Sequence, residues 1–153
     1  MQIFNFKILF LVTGDWFYFT NAHYFASRDA RRSRAGSVDA CADLGGSLVM
    51  FDSESEATVV LQNTASHPSR IWTGLIQNVT KLTSCQSDPC NLICVQWSNP
   101  LVPFSMYDRI VRCLRHQPCL SFDGADGNWY GTNCEERLDF ICEIYGALKF
   151  VQF

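Results

Sequence analysis

The chain has 153 residues, 48% of them apolar, which is enough to bury one core and too short for two ordinary domains. A formal net charge of -3 gives no overall attraction to nucleic acid or to an anionic membrane, so local patches matter more than the total. Eight cysteines, an even number in so short a chain, point to disulfides made in an oxidising compartment, and the acceptor sequence Asn78-Val79-Thr80 adds a glycosylation site of a secretory-pathway protein.

Residues 1–14 combine a lysine-bearing lead with the apolar run Ile8 to Val12, a candidate short signal peptide cleaved near Gly14. Its five apolar residues fall short of the roughly 7 to 15 of a usual hydrophobic region, so a truncated start is the alternative. No segment approaches the roughly 20 apolar residues needed to cross a bilayer. Residues 16–19 and 23–26, rich in aromatics and separated by Thr20-Asn21-Ala22, read as an opening hairpin. Over residues 28–44, Ala30, Val38, Cys41, Ala42 and Leu44 recur at partly helical spacing. Gly45-Gly46 would end that helix, Cys41 would lie on its buried face, and Arg28, Arg31, Arg32 and Arg34 would open it. Ser53 with Glu56 is a capping-box pattern, continued by Ala57 to Leu61 as a second helix.

From Trp72-Thr73-Gly74-Leu75-Ile76 onward the pattern changes to strands and loops: an insert with Cys85, Cys90 and Cys94, then Trp97, an irregular stretch to Pro118, and three terminal strands. Two helices ahead of an antiparallel sheet define an α+β domain over residues 15–145. The expected core gathers around Trp72, Leu75, Trp97, Trp129, Phe140 and Ile141, flanked by Val49 and Leu61. The apolar tail, residues 146–153, is expected either to add to the terminal sheet near the hairpin or to be disordered.

The segment from Cys119 reads Cys-Leu-Ser-Phe-Asp-Gly-Ala-Asp-Gly-Asn-Trp-Tyr-Gly-Thr-Asn-Cys, so that Trp129 stands five residues before Cys134, and Phe140-Ile141-Cys142-Glu143 follows. Upstream come Trp16-Phe17-Tyr18-Phe19, Cys41 with Gly45-Gly46 and Val49, Ser53 to Glu56, Trp72-Thr73-Gly74-Leu75 and Val95-Gln96-Trp97-Ser98. In this order and spacing they resemble the C-type lectin-like domain over almost the whole chain. The resemblance implies a disulfide-stapled fold with Cys41 bonded to Cys142 and Cys119 to Cys134. In the loop-entropy description such bridges contribute roughly 4.7 and 3 kcal/mol for loops of about 100 and 15 residues. The extra bridge with which many members staple the opening hairpin is missing, since no cysteine lies near Val12 or His23. Cys85, Cys90, Cys94 and Cys113 leave three connectivities open, with Cys94–Cys113 and Cys85–Cys90 favoured. A four-thiolate zinc site is the alternative, against which stand the lack of a tight Cys-x2-Cys knuckle and an oxidising route.

Calcium-dependent members hold the cation with a Glu-Pro-Asn or Gln-Pro-Asp motif in a long loop and an Asn-Asp pair just after the tryptophan of a late strand, because a hard cation needs about six to eight oxygens. Here Trp129 is followed by Tyr130-Gly131, Asn99-Pro100 comes too early, and the loop carries Arg109, Arg112 and Arg115, which repel a divalent cation. No cofactor is therefore expected. Asp123, Asp126 and Asn128 are weak cation candidates that read first as turn chemistry.

The same loop arginines, with His116, are the candidate ligand-binding residues, because guanidinium forks suit sulfates, phosphates and carboxylates. The competing reading of each arginine run is a solvated face. Enzymatic readings are poorly supported: there are three histidines, no Gly-x-Ser-x-Gly motif, and a Cys113–His116 pair would need a free thiol. The expectation is a secreted, non-enzymatic module that recognises a protein or an anionic glycan, acidic or sulfated, without calcium. A sugar-binding lectin using a degenerate cation site or another surface, and a structural module forming disulfide-linked oligomers, are the alternatives.

Overall fold

The computed structural model describes residues 13–51, 53–63, 70–77, 95–97, 110–112, 119–124 and 128–145. Residues 1–12 of the candidate signal peptide expected over 1–14, Asn78, the insert cysteines Cys85, Cys90 and Cys94, Cys113, and the tail over 146–153 lie outside these residues. The described elements are β1 (Gly14–Phe19), β2 (Ala22–Ser27), α1 (Arg34–Asp43), β3 (Ser47–Leu48), α2 (Glu54–Gln62), β4 (Arg70–Gln77), β5 (Val95–Trp97), β6 (Ile110–Arg112), β7 (Cys119–Asp123), β8 (Asn128–Thr132) and β9 (Asp139–Tyr145).

The opening hairpin forms with full register from Gly14↔Ser27 to Phe19↔Ala22. Its turn is only Thr20-Asn21, with Thr20 at φ 59°, so Ala22 belongs to β2 and not to the turn expected for it. Cross-strand partners become ring contacts, Trp16 on Phe25 at 5.0 Å and Phe17 stacked on Tyr24 at 5.2 Å, the kind of pair that stabilises a two-stranded unit.

The first helix starts later than expected. Asp29 takes a left-handed φ of 55°, Arg32 pairs with Leu138 through two backbone hydrogen bonds, and Ser33 is the N-cap, its hydroxyl accepting from the Gly36 N–H at 3.1 Å. Arg28, Arg31 and Arg32 therefore precede α1, and Ala30 is not helical. Its buried stripe is Ser37, Ala40 and Cys41, with Leu44 at the C-cap, whereas Val38 and Ala42 face outward. The end is as expected: Gly45 at φ 89° and Gly46 send their N–H groups back to the carbonyls of Ala42 and Cys41, both at 2.9 Å, a geometry a side chain at Gly45 would strain. The Ser53 hydroxyl caps α2 by accepting from the Glu56 N–H at 3.0 Å.

The sheet order is β1-β2-β9-β4-β7-β8-β6, with β3 added to β9 and β5 to β4. It is mixed, not purely antiparallel: β4 pairs parallel with β9 (Ile71↔Asp139, Trp72↔Phe140) and β6 parallel with β8. Parallel neighbours need a long crossover, and the chain between β4 and β9 supplies one by building the β7–β8 hairpin on the way.

Two apolar clusters fill the interior, one around Val49, Phe51, Leu75, Phe122, Trp129 and Ile141, the other around Phe25, Cys41, Trp72, Phe140 and Cys142. Trp72, Leu75, Trp129, Phe140, Ile141 and Val49 are fully buried as expected, and Leu61 is partly buried against the first cluster. Trp97 pairs through its backbone with Leu75, and its side chain lies outside the description. Cys41 is bonded to Cys142 and Cys119 to Cys134, with Cα atoms 5.3 and 5.2 Å apart, as the resemblance implied.

Candidate functional site

Of the segment between Trp97 and Cys119, residues 110–112 are described. Its one described strand, β6, enters beside β8 with Ile110 opposite Trp129 and Arg112 opposite Tyr130. Arg109, Arg115 and His116 lie outside the described residues, as does Asp126. Asp123 and Asn128 are brought together as the last register pair of the β7–β8 hairpin. Because β6 runs parallel to β8, its Ile110 lies nearer this Asp123–Asn128 end and its Arg112 farther from it.

Just beyond Trp129, the backbone is committed to the sheet. Gly131 opposes Leu120, the Tyr130 carbonyl accepts a hydrogen bond from the Thr132 hydroxyl at 2.9 Å, and Thr132 Oγ1 lies 2.7 Å from Ser121 Oγ in the interior. The two positions after the tryptophan thus contribute an aromatic ring and no side chain beyond hydrogen, with no carboxylate between them.

The arginines of the run from Arg28 to Arg34 do not act as one patch. Arg28 pairs with Asp15 at 3.2 Å, both half exposed. Arg34 turns inward, donating from a terminal nitrogen to the Thr73 carbonyl at 3.4 Å, and burial lowers its pKa by desolvating the cation. Only Arg31 and Arg32 remain at the surface side by side, and the structure adds a third that the sequence reading missed, Arg137. These three, with Ser33, Gly36 and Glu135, line a cleft of about 240 Å³ at the start of α1. Two chain segments meet there because Arg32 and Leu138 exchange backbone hydrogen bonds at 3.0 and 2.9 Å. The indole of the buried Trp72 holds both from beneath, its Nε1–H directed to the Arg32 carbonyl at 3.0 Å and the Glu136 carbonyl at 3.3 Å. Arg70 pairs with Glu136 at 2.7 Å and so removes that carboxylate from the arginines. A local signal for Arg137 did not exist, since nothing in Glu135-Glu136-Arg137 announces a partner more than a hundred residues upstream.

Comparison with known proteins agrees with this architecture. The family model described as the lectin C-type domain matches residues 30–144. A mouse secretory phospholipase A2 receptor is 28% identical over 135 residues, covering 88% of this chain and 8% of the receptor. A mouse CD209 antigen-like protein D is 28% identical over 131 residues, covering 84% of this chain and 50% of that protein. The chain therefore spans half or less of these curated relatives. Among solved structures, the carbohydrate-recognition domain of the mouse scavenger receptor C-type lectin superposes with a TM-score of 0.64 at 20% identity, covering 86% of this chain and 94% of that one. The C-type lectin domain of murine dendritic cell inhibitory receptor 2, solved in complex with N-glycan, gives 0.61 at 17% identity, covering 86% and 97%.

Proposed function

The chain belongs to the C-type lectin domain family, a family of non-enzymatic ligand-binding domains, and on that premise we propose that it is a secreted module that recognises an anionic glycan or an acidic protein surface without calcium. The observation that carries the reading is β8 itself. Where a calcium-dependent member would offer an Asn-Asp pair after the tryptophan, this strand offers Tyr130 and Gly131, the second paired with Leu120 across the hairpin. A cation deprived of those oxygens would have to be held by a loop that carries Arg109, Arg112 and Arg115, whose charges oppose it. The same arginines favour an anion, which makes the loop, with His116, the proposed ligand surface. The N-glycan bound by dendritic cell inhibitory receptor 2 supports a glycan as the ligand class.

A glycan array that includes heparin, probed with calcium and again with chelator, tests the reading: sulfated or carboxylated ligands are expected to be retained equally in both. Retention on heparin should fall for the variant with Arg109, Arg112 and Arg115 all changed to Ala, and binding that appears only with calcium would overturn the proposal. The second reading, a degenerate cation site, is favoured by the register that sets Asp123 against Asn128. It predicts a calcium-dependent rise in melting temperature, since a ion that binds the native state stabilises it by mass action, whereas the proposed function predicts none.

A further inference from the structure

We propose that the cleft at the start of α1 is a second anion-binding site, taking a sulfate group of a sulfated glycan through Arg31, Arg32 and Arg137. It extends the reading above to a surface separate from the long loop.

The charge balance favours an anion. Three arginines and a single carboxylate residue, Glu135, line the cleft. Neither Arg32 nor Arg137 forms an ion pair with a described carboxylate, and Arg31 reaches Asp139 only at 3.8 Å while remaining 59% exposed. Arg32 carries a further signal: its Nε is closed off from solvent and has no hydrogen-bond partner. A buried donor left without an acceptor is costly, and an oxyanion seated in the cleft would supply one. The amino end of the ten-residue α1 opens onto the same space, adding the positive end of its dipole beside Ser33 and Gly36.

The lining also selects among anions. It contains no apolar side chain, so a peptide would find no pocket to anchor a residue. A volume of about 240 Å³ lies below the roughly 300 to 1,000 Å³ of sites that enclose drug-sized ligands, which suits one charged group of a longer polymer. Glu135 and the Ser33 hydroxyl can accept hydrogen bonds from sugar hydroxyls flanking the sulfate, donors that the carboxylate side chains of an acidic peptide lack. The backbone bridge between Arg32 and Leu138, fixed by Trp72, presets the spacing of the arginines before any ligand arrives.

The test is a titration of the isotope-labelled full chain with a heparin-derived tetrasaccharide, followed by amide chemical shifts. Saturable shifts are expected at residues 31–37 and 135–138, persisting in the Arg109, Arg112 and Arg115 to Gln variant. They should weaken by about tenfold or more in Arg32→Gln with Arg137→Gln. Arg137→Gln alone, at an exposed position, is the control that preserves the fold and should still lower the affinity. Shifts confined to the long loop, or unchanged binding by the Arg137→Gln protein, would overturn the second site and leave the loop proposal standing. A polyglutamate peptide that binds these amides as tightly as the tetrasaccharide would overturn the sulfated-glycan assignment.

Discussion

The two described disulfides make a useful contrast. Cys41–Cys142 spans 101 residues and lies wholly inside, joining α1 to β9 in the middle of an apolar cluster. Cys119–Cys134 spans only 15 residues, is partly exposed, and staples the foot of the β7–β8 hairpin. Yet the shorter bridge stands closer to the proposed chemistry, because the Cys134 carbonyl accepts the Arg34 N–H at 3.0 Å, at the first residue of α1. The first bridge closes the fold, and the second fixes where the turn bearing Glu135, Glu136 and Arg137 meets the helix. Stability and site geometry are thus assigned to different bonds.

The largest expected effect is on the long bridge. Replacing Cys41 and Cys142 by Ala should cost about 4 to 5 kcal/mol in chemical denaturation, because the loop released in the unfolded chain is long and two fully buried sulfurs lose their bond. The same change at Cys119 and Cys134 should cost about 3 kcal/mol. If the shorter bridge proved the more important for stability, the contrast would be reversed.

Trp72→Phe probes the link between the two regions. It keeps a ring in the core but deprives the Arg32 and Glu136 carbonyls of their shared donor, for an expected loss of about 1 to 3 kcal/mol, together with loss of order at residues 31–33 and 135–138 by amide exchange. A Trp72→Phe protein with unaltered exchange in those segments would show that the bridge stands without its indole. Smaller still, Ser33→Ala and Ser53→Ala should each cost about 1 kcal/mol in thermal or denaturant unfolding, as the Gly36 and Glu56 N–H groups lose their cap acceptors. At the bottom of the scale, Arg28→Gln should change stability by about 0 to 1 kcal/mol, falling toward zero in high salt, because both members of its pair with Asp15 are half exposed.

The parts legible in the sequence were those that local chemistry decides. Ser53 and Glu56 mark the start of α2 because a hydroxyl and an amide three residues apart meet in one turn. Gly45 ends α1 because glycine enters the left-handed region without a side-chain penalty, and Gly46 follows where a side chain would collide with the Glu143 carbonyl. The aromatic strands of the opening hairpin are similarly apparent, although the turn between them was read one residue too long. The start of α1 was misread because apolar spacing was counted across Ala30 and Arg32, where the chain is extended by a partner more than a hundred residues away. The parallel pairings of β4 with β9 and β6 with β8 were equally invisible, since strand direction depends on the path of the connection.

By itself, then, the sequence carried, through its resemblance, the Cys41–Cys142 and Cys119–Cys134 bridges and the family to which the chain belongs, and it set Tyr130-Gly131 directly after Trp129. These are properties of residues in order, and order is what spacing records. Only the tertiary structure decided that four arginines read as one run divide among different environments: Arg28 on Asp15, Arg34 turned inward on the Thr73 carbonyl, and Arg31 and Arg32 opposite Arg137. Charge along a chain gives a sum, whereas a binding site needs charges that converge, and convergence here depends on the backbone bridge at Arg32 and Leu138 and the tryptophan beneath it.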